Sequence, residues 1–390
     1  MAKFLLGWEL GANRGHLVRL AGIARRLVAE GHDVAVAAQR LSRDFDLPAE
    51  VTLWQAPIWP RLLGNVGALG GPAPSTMGDI LVRVGMDDPS ALPAMILAWR
   101  QMLDAIRPDA VAADFAPALL SAARGRLPTV SVGVGFDAVP AHLAEFPSLT
   151  GRPAVFAEAD ILAAVNDAMR RANLDPIERL PALFEADCVL PGTFTKLDPY
   201  AKWRREPVVA PSVAQPVGEA GTGEEVFVYA DSALLRTGAF WDGLIRAALP
   251  VRLYAQGASA AQQAEFEKLG FAVERTPVSF ARIAERSRVV MSSGGLGLVS
   301  SALAAGVPVV VVHYDLEKAL TGQAITRMQL GGHVYAGSIQ PEAFATSLRQ
   351  LYQNDSFQRR ARELAPGFRV RLDPPQEELA ARKLIALTGR

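Results

Sequence analysis

Apolar residues in the first forty positions change from a continuous run to a helical period and back again. Lys3–Trp8 is a short apolar run, and from His16 onward apolar residues recur at positions 17, 20, 21, 24, 27 and 28. This spacing predicts the buried face of a helix that ends at Gly31. Asp33–Ala38 is apolar again, so the segment predicts a strand, a loop, a helix and a second strand of a parallel sheet.

The same alternation continues along the chain and is interrupted once. Further strands of the first series are predicted at 110–113 and 129–134, each preceded by a helical segment. Residues 207–224 are rich in Pro, Gly, Ala and Ser and have no hydrophobic period, which indicates a linker. The strands of a second series are predicted at 226–230, 251–255, 272–274, 289–292 and 309–312.

These patterns predict two α/β domains. We assign an N-terminal domain to 1–206, the linker to 207–224, a C-terminal domain to 225–374 and a C-terminal helix to 375–390, and we leave open whether that helix packs on the first domain. Because open parallel sheets bind ligands at the carboxyl ends of their strands, we expect the site at a cleft across which the two domains face each other.

Composition narrows the class of partner. The 390 residues include 40 Lys plus Arg and 40 Asp plus Glu, so no net field draws the protein to nucleic acid. The one cysteine, Cys188, excludes an intramolecular disulfide and a cysteine-based zinc site. Glu9 interrupts the N-terminal apolar run, which predicts a strand rather than a signal peptide, and no apolar stretch reaches the roughly 18 residues of a membrane span. We expect a cytoplasmic protein with small-molecule partners, and peripheral contact with a membrane stays open.

The segment 288–308, RVVMSSGGLGLVSSALAAGVP, carries the most chemical information. It predicts a buried strand, a turn containing Ser293, Gly294, Gly295 and Gly297, and a helix. Glycines at such a turn let backbone N–H groups approach an anion, and the helix N-terminus adds partial positive charge. The turn is therefore either a diphosphate cradle or a tight structural connection.

The residues after this helix extend the pattern. Together with DLEKALT at 315–321, the segment resembles the donor-binding signature of family 1 and family 28 glycosyltransferases, which runs approximately H-G-G-x-G-[ST]-x-x-E-A-x-x-x-G-V-P, four residues, and P-x-x-x-[DE]-Q-x-x-N. The run GHLVRLAGIARRLVAEGHDV and the run PDAVAADF resemble the family's first loop and helix and its strand with an acidic residue. The positions that match the signature are Gly294, Gly295, Gly297, Ala302, Gly306, Val307, Pro308 and Glu317. The resemblance implies the GT-B fold, an α/β architecture of two Rossmann-like parallel-sheet domains.

The sequence departs from the signature at several binding positions. Ser293 replaces the histidine that contacts a donor phosphate, Leu298 a Ser or Thr, and Ser301 the ribose-binding Glu. Further along, His313, Lys318 and Thr321 replace Pro, Gln and Asn. Backbone donors do not depend on side chains and Ser293 still has a hydroxyl to donate, so we expect diphosphate binding to survive and ribose recognition to be weaker.

Two residues next to this loop have implied donor roles. The resemblance implies that Glu317 binds hydroxyls of the donor sugar. Lys318 has two interpretations: it pairs with an anionic sugar or a phosphate oxygen, or it is a surface lysine paired with a nearby acid.

The resemblance also implies that His16 is the catalytic base and that Asp114 orients it. An unperturbed histidine is largely neutral at pH 7, a helix N-terminus disfavours its cationic form, and a carboxylate on the other nitrogen fixes the tautomer. The alternatives are that His16 only begins a helix and that Asp114 is the N-cap of the next one.

Aromatic residues of the first domain are candidates for the acceptor pocket. Trp8 and Phe136, with Trp54 and Trp59, either line an apolar acceptor pocket or belong to the core. Residues 57–93, rich in Gly and Pro, are interpreted as a mobile loop over the cleft.

The expected function is an inverting glycosyltransferase of the hexosyltransferase type. It moves a sugar from a UDP- or dTDP-type donor to a hydroxyl of a small-molecule or lipid-like acceptor, with no separate cofactor and no metal ion, since backbone amides and a helix dipole stabilise the leaving diphosphate. Two alternatives remain: a catalytically weakened, nucleotide-binding auxiliary subunit, and a nucleotide-sugar epimerase or hydrolase of the same fold.

Overall fold

A computed structural model describes residues 1–11, 14–41, 46–63, 72–213 and 215–389. The chain forms two compact units. The first contains Met1–Gly192, Asp198–Val209 and Pro374–Arg390, and the second contains Thr193–Leu197 and Ala210–Asp373. The second unit thus takes five residues from before the predicted linker, and the C-terminal segment belongs to the first unit.

Six parallel strands of the first unit form one sheet. They are β1 Lys3–Trp8, β2 Asp33–Ala38, β3 Thr52–Gln55, β4 Ala110–Asp114, β5 Thr129–Gly133 and β6 Cys188–Pro191. Their order is β3-β2-β1-β4-β5-β6, with Trp8 opposite Asp114 in the β1–β4 register. The central strands are buried on both faces, which explains their uninterrupted apolar runs.

Helices cover this sheet. Along the chain they are α1 Gly15–Ala29, α2 Met77–Val84, α3 Ala91–Ile106, α4 Pro117–Ala123, α5 Glu158–Arg171 and the C-terminal helix α14 Gln376–Leu387. The apolar face of α1 and the inner face of α14 bury Leu20, Ile23 and Leu384 in one core with the sheet. That burial attaches the end of the chain to the strands at its beginning.

The interpretation of 57–93 as a mobile loop is wrong for much of that range. Residues 64–71 lie outside the described residues, but α2 is a capped helix: the Thr76 side chain accepts from the Asp79 N–H, and the Asp79 side chain accepts in return from the Thr76 N–H. This reciprocal capping box stabilises a helix that the Gly and Pro content obscured.

The second unit repeats the architecture. Its parallel strands are β7 Glu225–Ala230, β8 Val251–Ala255, β9 Ala272–Glu274, β10 Ser287–Ser292, β11 Val309–His313 and β12 Gly331–Tyr335. Their order is β12-β11-β10-β7-β8-β9. Its helices are α6 Ser232–Leu235, α7 Gly238–Ala247, α8 Ala260–Lys268, α9 Phe280–Arg286, α10 Leu296–Ala305, α11 Leu316–Arg327, α12 Pro341–Gln353 and α13 Asp355–Arg369. The predicted α/β class, with two Rossmann-like parallel sheets, is confirmed.

The order in which strands are added reverses at the centre of each sheet. The chain begins at an inner strand, β1 or β7, adds strands toward one edge, and then returns to the centre to start the other half at β4 or β10. We call this place the switch point of the sheet. The carboxyl ends of these inner strands are the places where such sheets bind ligands. Within the described chain, no helix has the length and apolar character needed to cross a bilayer.

Candidate functional site

The switch point of the first unit brings His16 and Asp114 together. His16 lies in the first turn of α1, directly after the loop that follows β1, and Asp114 is the last residue of the neighbouring β4. His16 Nδ1 lies 2.8 Å from Asp114 Oδ1. The structure thus places the two residues of the predicted dyad in hydrogen-bond contact, while their catalytic roles stay a prediction.

The loop between β1 and α1 is shaped around the imidazole. The Trp8 ring stacks on the His16 ring at 5.0 Å between centroids and 13° between planes. Gly11 has a φ of +87°, and a Cβ at Gly11 would lie 2.4 Å from His16 Nε2. Only glycine fits this left-handed position against the ring without a clash, so Gly11 leaves the space that the His16 ring occupies.

Asp114 is not a helix cap. The next helix, α4, starts at Pro117 with Ala116 at its N-cap and no side-chain cap bond. The second carboxylate oxygen of Asp114, Oδ2, accepts a hydrogen bond of 2.5 Å from Arg19 Nη1. Both oxygens of Asp114 therefore belong to the site.

Arg19 joins this pair to distant parts of the first unit. Its Nε donates to Gln376 Oε1 at 3.0 Å. The amide of Gln376, at the start of α14, donates in turn to the backbone oxygens of Gly133 at 2.9 Å and Leu190 at 2.6 Å. The network thus ties α1 and β4 to α14 and to the ends of β5 and β6.

The charges of this cluster are strongly coupled. Burial by itself raises the pKa of the Asp114 carboxyl, but Arg19 and His16 outweigh burial and hold that pKa below its usual range. Burial likewise lowers the pKa of the Arg19 guanidinium, but Asp114 and Asp137 outweigh it and raise that pKa. Asp114 is therefore ionised and Arg19 charged.

An ionised Asp114 determines which ring nitrogen of His16 carries a proton. A carboxylate only accepts hydrogen bonds, so His16 Nδ1 is the donor. In the neutral imidazole the lone pair is then on Nε2, which makes no hydrogen bond to any residue in the described part of the chain. A neutral imidazole held in this way has the unbonded lone pair that a general base needs.

One set of groups in the described chain is close enough to hold a metal ion. It consists of His16, Asp114 and Asp137, whose ligand atoms lie within 4.8 Å of one another. The Arg19 guanidinium already contacts Asp114 Oδ2, so a cation is present beside this set.

Glu9 is a buried acid that sequence reasoning treated only as an interruption. Its carboxylate accepts from the indole N–H groups of Trp59 at 2.9 Å and Trp99 at 3.0 Å. It also accepts from the backbone N–H groups of Ala118 and Leu119 in the first turn of α4. Burial raises the pKa of Glu9 to about 7, because it outweighs the four hydrogen bonds, which lower that pKa.

The aromatic candidates for the acceptor pocket have unequal placements. Trp8 is 1% exposed and contacts the site through His16. Phe136 is also buried, at 7% exposed. Trp59 is fully buried against Glu9, which is a core position. The assignment of Trp8 and Phe136 to an acceptor pocket stays a prediction.

At the switch point of the second unit, the loop between β10 and α10 and the first turn of α10 contain three glycines and therefore leave backbone groups uncovered by side chains. Gly294 follows β10 with a φ of +93°, and a Cβ there would lie 2.6 Å from Val311 Cγ1. Gly295 is the N-cap of α10, and a Cβ there would meet open space. A Cβ at Gly297 would lie 3.1 Å from the Ser212 oxygen. The loop has the shape that lets N–H groups at a helix start face an anion.

The serines of this loop bond inside the protein. Ser293 Oγ donates to Asp231 Oδ2 at 2.7 Å, and Asp231 also caps α6 through the N–H groups of Ala233 and Leu234. The expected free hydroxyl donor of Ser293 is therefore already bound to a carboxylate. Ser301 Oγ likewise donates to the Gly297 oxygen at 2.8 Å, and the expectation of weaker ribose recognition stays a prediction.

Tyr314 forms a hydrogen-bonded cluster with Asp231 and Ser293. Its hydroxyl donates to Asp231 Oδ1 at 3.3 Å, and burial together with the charge of Asp231 raises the pKa of Tyr314. Asp231, Ser293 and Tyr314 follow the three adjacent strands β7, β10 and β11. Asp231 was absent from the sequence predictions, although its place directly after a strand and before a Ser-initiated helix was a usable signal.

Glu317 and Lys318 contact each other in α11. Lys318 Nζ lies 2.5 Å from Glu317 Oε2. Lys318 is 4% exposed, so its interpretation as a surface lysine is wrong, although its pairing with a nearby acid is observed. A buried lysine is more costly than an exposed one, and its carbon chain packs next to the position that a Gly294 Cβ would take.

Arg19 and Gln376 were also missed. Arg19 follows His16 by three residues and therefore lies on the same helical face, so a cation on a face predicted to be apolar was a signal. Gln376 carries no such signal, because it lies 357 residues from Arg19.

No model of a known protein family matches the sequence. A PGL/p-HBAD biosynthesis glycosyltransferase from Mycobacterium tuberculosis is 33% identical over 85 residues. This match covers 22% of the chain and about a fifth, 20%, of that relative.

Solved structures match over the whole length. The calicheamicin glycosyltransferase CalG4 matches with a TM-score of 0.70 and 18% identity, over 100% of this chain and 98% of that one. The glycosyltransferase VinC, solved in complex with dTDP, matches with a TM-score of 0.63 and 16% identity over 100% of both chains. The chain therefore has the GT-B fold of these glycosyltransferases.

Proposed function

We propose that the protein is an inverting glycosyltransferase that moves a hexose from a UDP- or dTDP-type nucleotide donor to a hydroxyl of a small-molecule or lipid-like acceptor. The observation that carries the proposal is the 2.8 Å contact between His16 Nδ1 and Asp114 in a chain of GT-B fold. The names of the matched proteins support glycosyl transfer, and the dTDP complex of VinC supports a dTDP-type donor.

The first unit supplies the base. The acceptor oxygen forms a bond to the anomeric carbon while its proton passes to His16 Nε2. The developing imidazolium is stabilised by Asp114, which is ionised and already bonded to Nδ1. Attack opposite to the departing diphosphate inverts the configuration of the anomeric carbon.

The second unit binds the donor. As the bond from the anomeric carbon to the diphosphate breaks, the nucleoside diphosphate takes the electron pair and its charge increases. N–H groups at the start of α10, next to the open side of Gly295, stabilise that charge without a side chain. Glu317 binds hydroxyls of the sugar in this proposal, and Lys318 orients Glu317.

The reaction needs neither a metal ion nor a separate cofactor in this proposal. The His16–Asp114–Asp137 set is the candidate metal cluster of the described residues, and the Arg19 guanidinium on Asp114 supplies positive charge there. We expect transfer to be unchanged after treatment with EDTA. A loss of transfer that Mg²⁺ or Mn²⁺ restores contradicts this part.

The test is transfer itself. UDP- and dTDP-hexoses are incubated with a panel of hydroxyl-bearing acceptors, products are identified by mass spectrometry, and their anomeric configuration is read by NMR. His16→Ala is expected to reduce transfer by about 10²-fold or more, with nucleotide binding in a thermal-shift assay retained.

His32→Ala is the matched control. His32 is in the same unit, where its Nδ1 accepts from the Ala2 N–H at 3.1 Å at the amino end of the sheet. We expect this variant to transfer at the wild-type rate. Absence of transfer with every donor, or equal transfer by His16→Ala, contradicts the proposed function.

The Ser293–Asp231 bond favours one second candidate, a nucleotide-binding auxiliary protein with weakened catalysis. That candidate predicts a rise in melting temperature with UDP or dTDP and no turnover with any acceptor.

A further inference from the structure

The His16–Asp114 pair is held in a wider buried network in which Arg19 is the cation in direct contact with Asp114. Asp114 is fully buried, Arg19 is 3% exposed and His16 is 9% exposed. Arg19 contacts the oxygen of Asp114 that His16 does not use. Any change in the charge of Arg19 therefore acts on the histidine through a shared carboxylate.

Other charged groups face the same network. Asp137, in the turn after β5, is buried and its carboxylate lies within 4.8 Å of the ligand atoms of His16 and Asp114. Glu377, at the start of α14, interacts with Arg19 through space. Arg204, which pairs with Asp198, donates to the backbone oxygens of Gly135 and Ala138 on either side of Asp137. Two buried carboxylates thus lie beside the imidazole, and Arg19 is the guanidinium that contacts Asp114.

The balance matters because the buried carboxylates favour an extra proton. Without Arg19, the cheapest way to neutralise Asp114 is to protonate His16 or the Asp114 carboxyl. Either outcome removes the function of the pair, because imidazolium has no lone pair at Nε2 and a neutral Asp114 no longer fixes the proton on Nδ1.

We propose that Arg19 is a positioning residue that keeps the His16–Asp114 pair free of this extra proton, so that Nε2 stays a neutral acceptor at physiological pH. The inference deepens the proposed function and rests on it for its catalytic meaning. Gln376 supports it from α14, because its Oε1 accepts from Arg19 Nε and fixes the guanidinium plane against Asp114.

The test reads the histidine directly. In full-length protein labelled with ¹⁵N-histidine, the His16 signals are assigned by their loss in His16→Gln. In the wild type at pH 7 we expect the pattern of a neutral ring protonated at Nδ1. In Arg19→Met, the pH at which these signals change is expected to rise by about one unit or more, as for other charges within a few ångströms.

Three further variants sharpen this result. Arg19→Gln keeps a hydrogen-bond donor to Asp114 but no charge, and it carries the same test if Arg19→Met fails to fold. Arg19→Lys keeps the charge and is expected to shift the transition by less than half as much. Arg25→Met is the matched control, since Arg25 lies on the same helix but is exposed and pairs with Asp46. An unshifted His16 transition in folded Arg19→Met and Arg19→Gln overturns the proposal.

Transfer activity supplies a separate readout. The acidic limb of the pH profile of kcat/KM is expected to move upward in Arg19→Gln by the same amount, with activity recovering at higher pH. A merely structural role lowers activity equally at every pH and contradicts the inference. If the wild type transfers no sugar at all, the proposed function fails, and the histidine titration still decides the role of Arg19.

Discussion

The first and second units have the same strand order, but the residues that follow their central strands differ in kind. After β1 and β4 the first unit places titratable, buried side chains, His16, Asp114 and Arg19, in one hydrogen-bonded network. After β10 the second unit places glycines and a helix N-terminus. One topology thus provides a place for a ligand in each unit, and in the proposed function the local residues decide whether that place moves a proton or binds an anion.

The two units also differ in what stabilises a carboxylate at this place. In the first unit the carboxylate of Asp114 is buried and is balanced by a guanidinium. In the second, Asp231 is partly exposed and is held by hydroxyl and backbone donors, from Ser293, Tyr314 and α6. A carboxylate next to the turn proposed to bind a diphosphate opposes that charge, so the two acids are expected to respond in opposite ways to loss of charge.

The largest effect is expected from Asp114→Asn. The amide has no charge, so it no longer fixes the proton on His16 Nδ1, and Arg19 is left as a buried cation without its carboxylate. We expect kcat to fall by about 10³-fold, with nucleotide binding by the second unit unchanged in a thermal-shift assay. Asp109→Asn, at the other end of β4, where the side chain accepts from the Lys3 N–H, is the control. Wild-type kcat in Asp114→Asn removes Asp114 from the mechanism.

The next effect concerns stability of the first unit. Glu9 takes up its proton near pH 7 when folded and near 4.5 when unfolded. The folded chain therefore binds the extra proton between these values, and the contribution of Glu9 to the free energy of unfolding falls by about 3 kcal/mol as pH rises through this window.

Glu9→Gln removes this dependence. The difference in unfolding free energy between wild type and variant, measured by denaturant titration, is expected to change by about 3 kcal/mol from pH 4.5 to pH 8. The variant gains relative to the wild type as pH rises. The exposed Glu50→Gln is the control. Parallel pH curves for wild type and Glu9→Gln contradict the assignment of this window to Glu9.

A smaller effect tests the backbone site. A Cβ at Gly295 meets nothing within 4 Å, so Gly295→Ala is expected to leave the melting temperature unchanged. The new methyl group enters the space proposed for the diphosphate, and UDP or dTDP affinity, measured by calorimetry, is expected to fall about tenfold, or about 1.4 kcal/mol. Gly238→Ala, at the start of α7 with equally open space, is expected to change neither quantity. Unchanged affinity in Gly295→Ala places the anion elsewhere.

The smallest effect is expected from Asp231→Asn, and its sign is opposite to that of Asp114→Asn. Asparagine is as good an N-cap as aspartate, so α6 is retained while the negative charge is lost. Removal of a like charge near a diphosphate is expected to tighten nucleotide binding by about fivefold at low salt. A weaker affinity indicates instead that Asp231 takes part in binding the ligand.

The central parts of the fold were predictable for a local reason. Inner strands such as β1, β4 and β11 are buried, so they are short, largely apolar runs between helical periods. The strands that the pattern missed, β3, β6 and β12, are all sheet edges with partly exposed residues, whereas the fourth edge strand, β9, was predicted. An edge strand has one paired neighbour and less burial, so its apolar signal is weaker.

The candidate site divides in the same way. His16 and Asp114 each follow a predicted strand, and the glycine turn lies inside one continuous segment, so their positions were accessible from local pattern. Lys318 was not, because a lysine on a helix gives no local sign that its surroundings are buried. The sequence shows that Ser293 has a hydroxyl group. Only the fold shows that this hydroxyl donates a hydrogen bond to Asp231.

By itself, the sequence determined the α/β class, the positions of most strands along the chain, the glycine turn and the two residues predicted as the dyad. Tertiary structure alone decided that Asp114 is buried and ionised, because Arg19 contacts it and is held by Gln376, which lies 357 residues away. Hydrophobic periodicity is a local property and predicts what is buried. Which buried charges balance each other depends on contacts between distant segments, which exist only after the chain has folded.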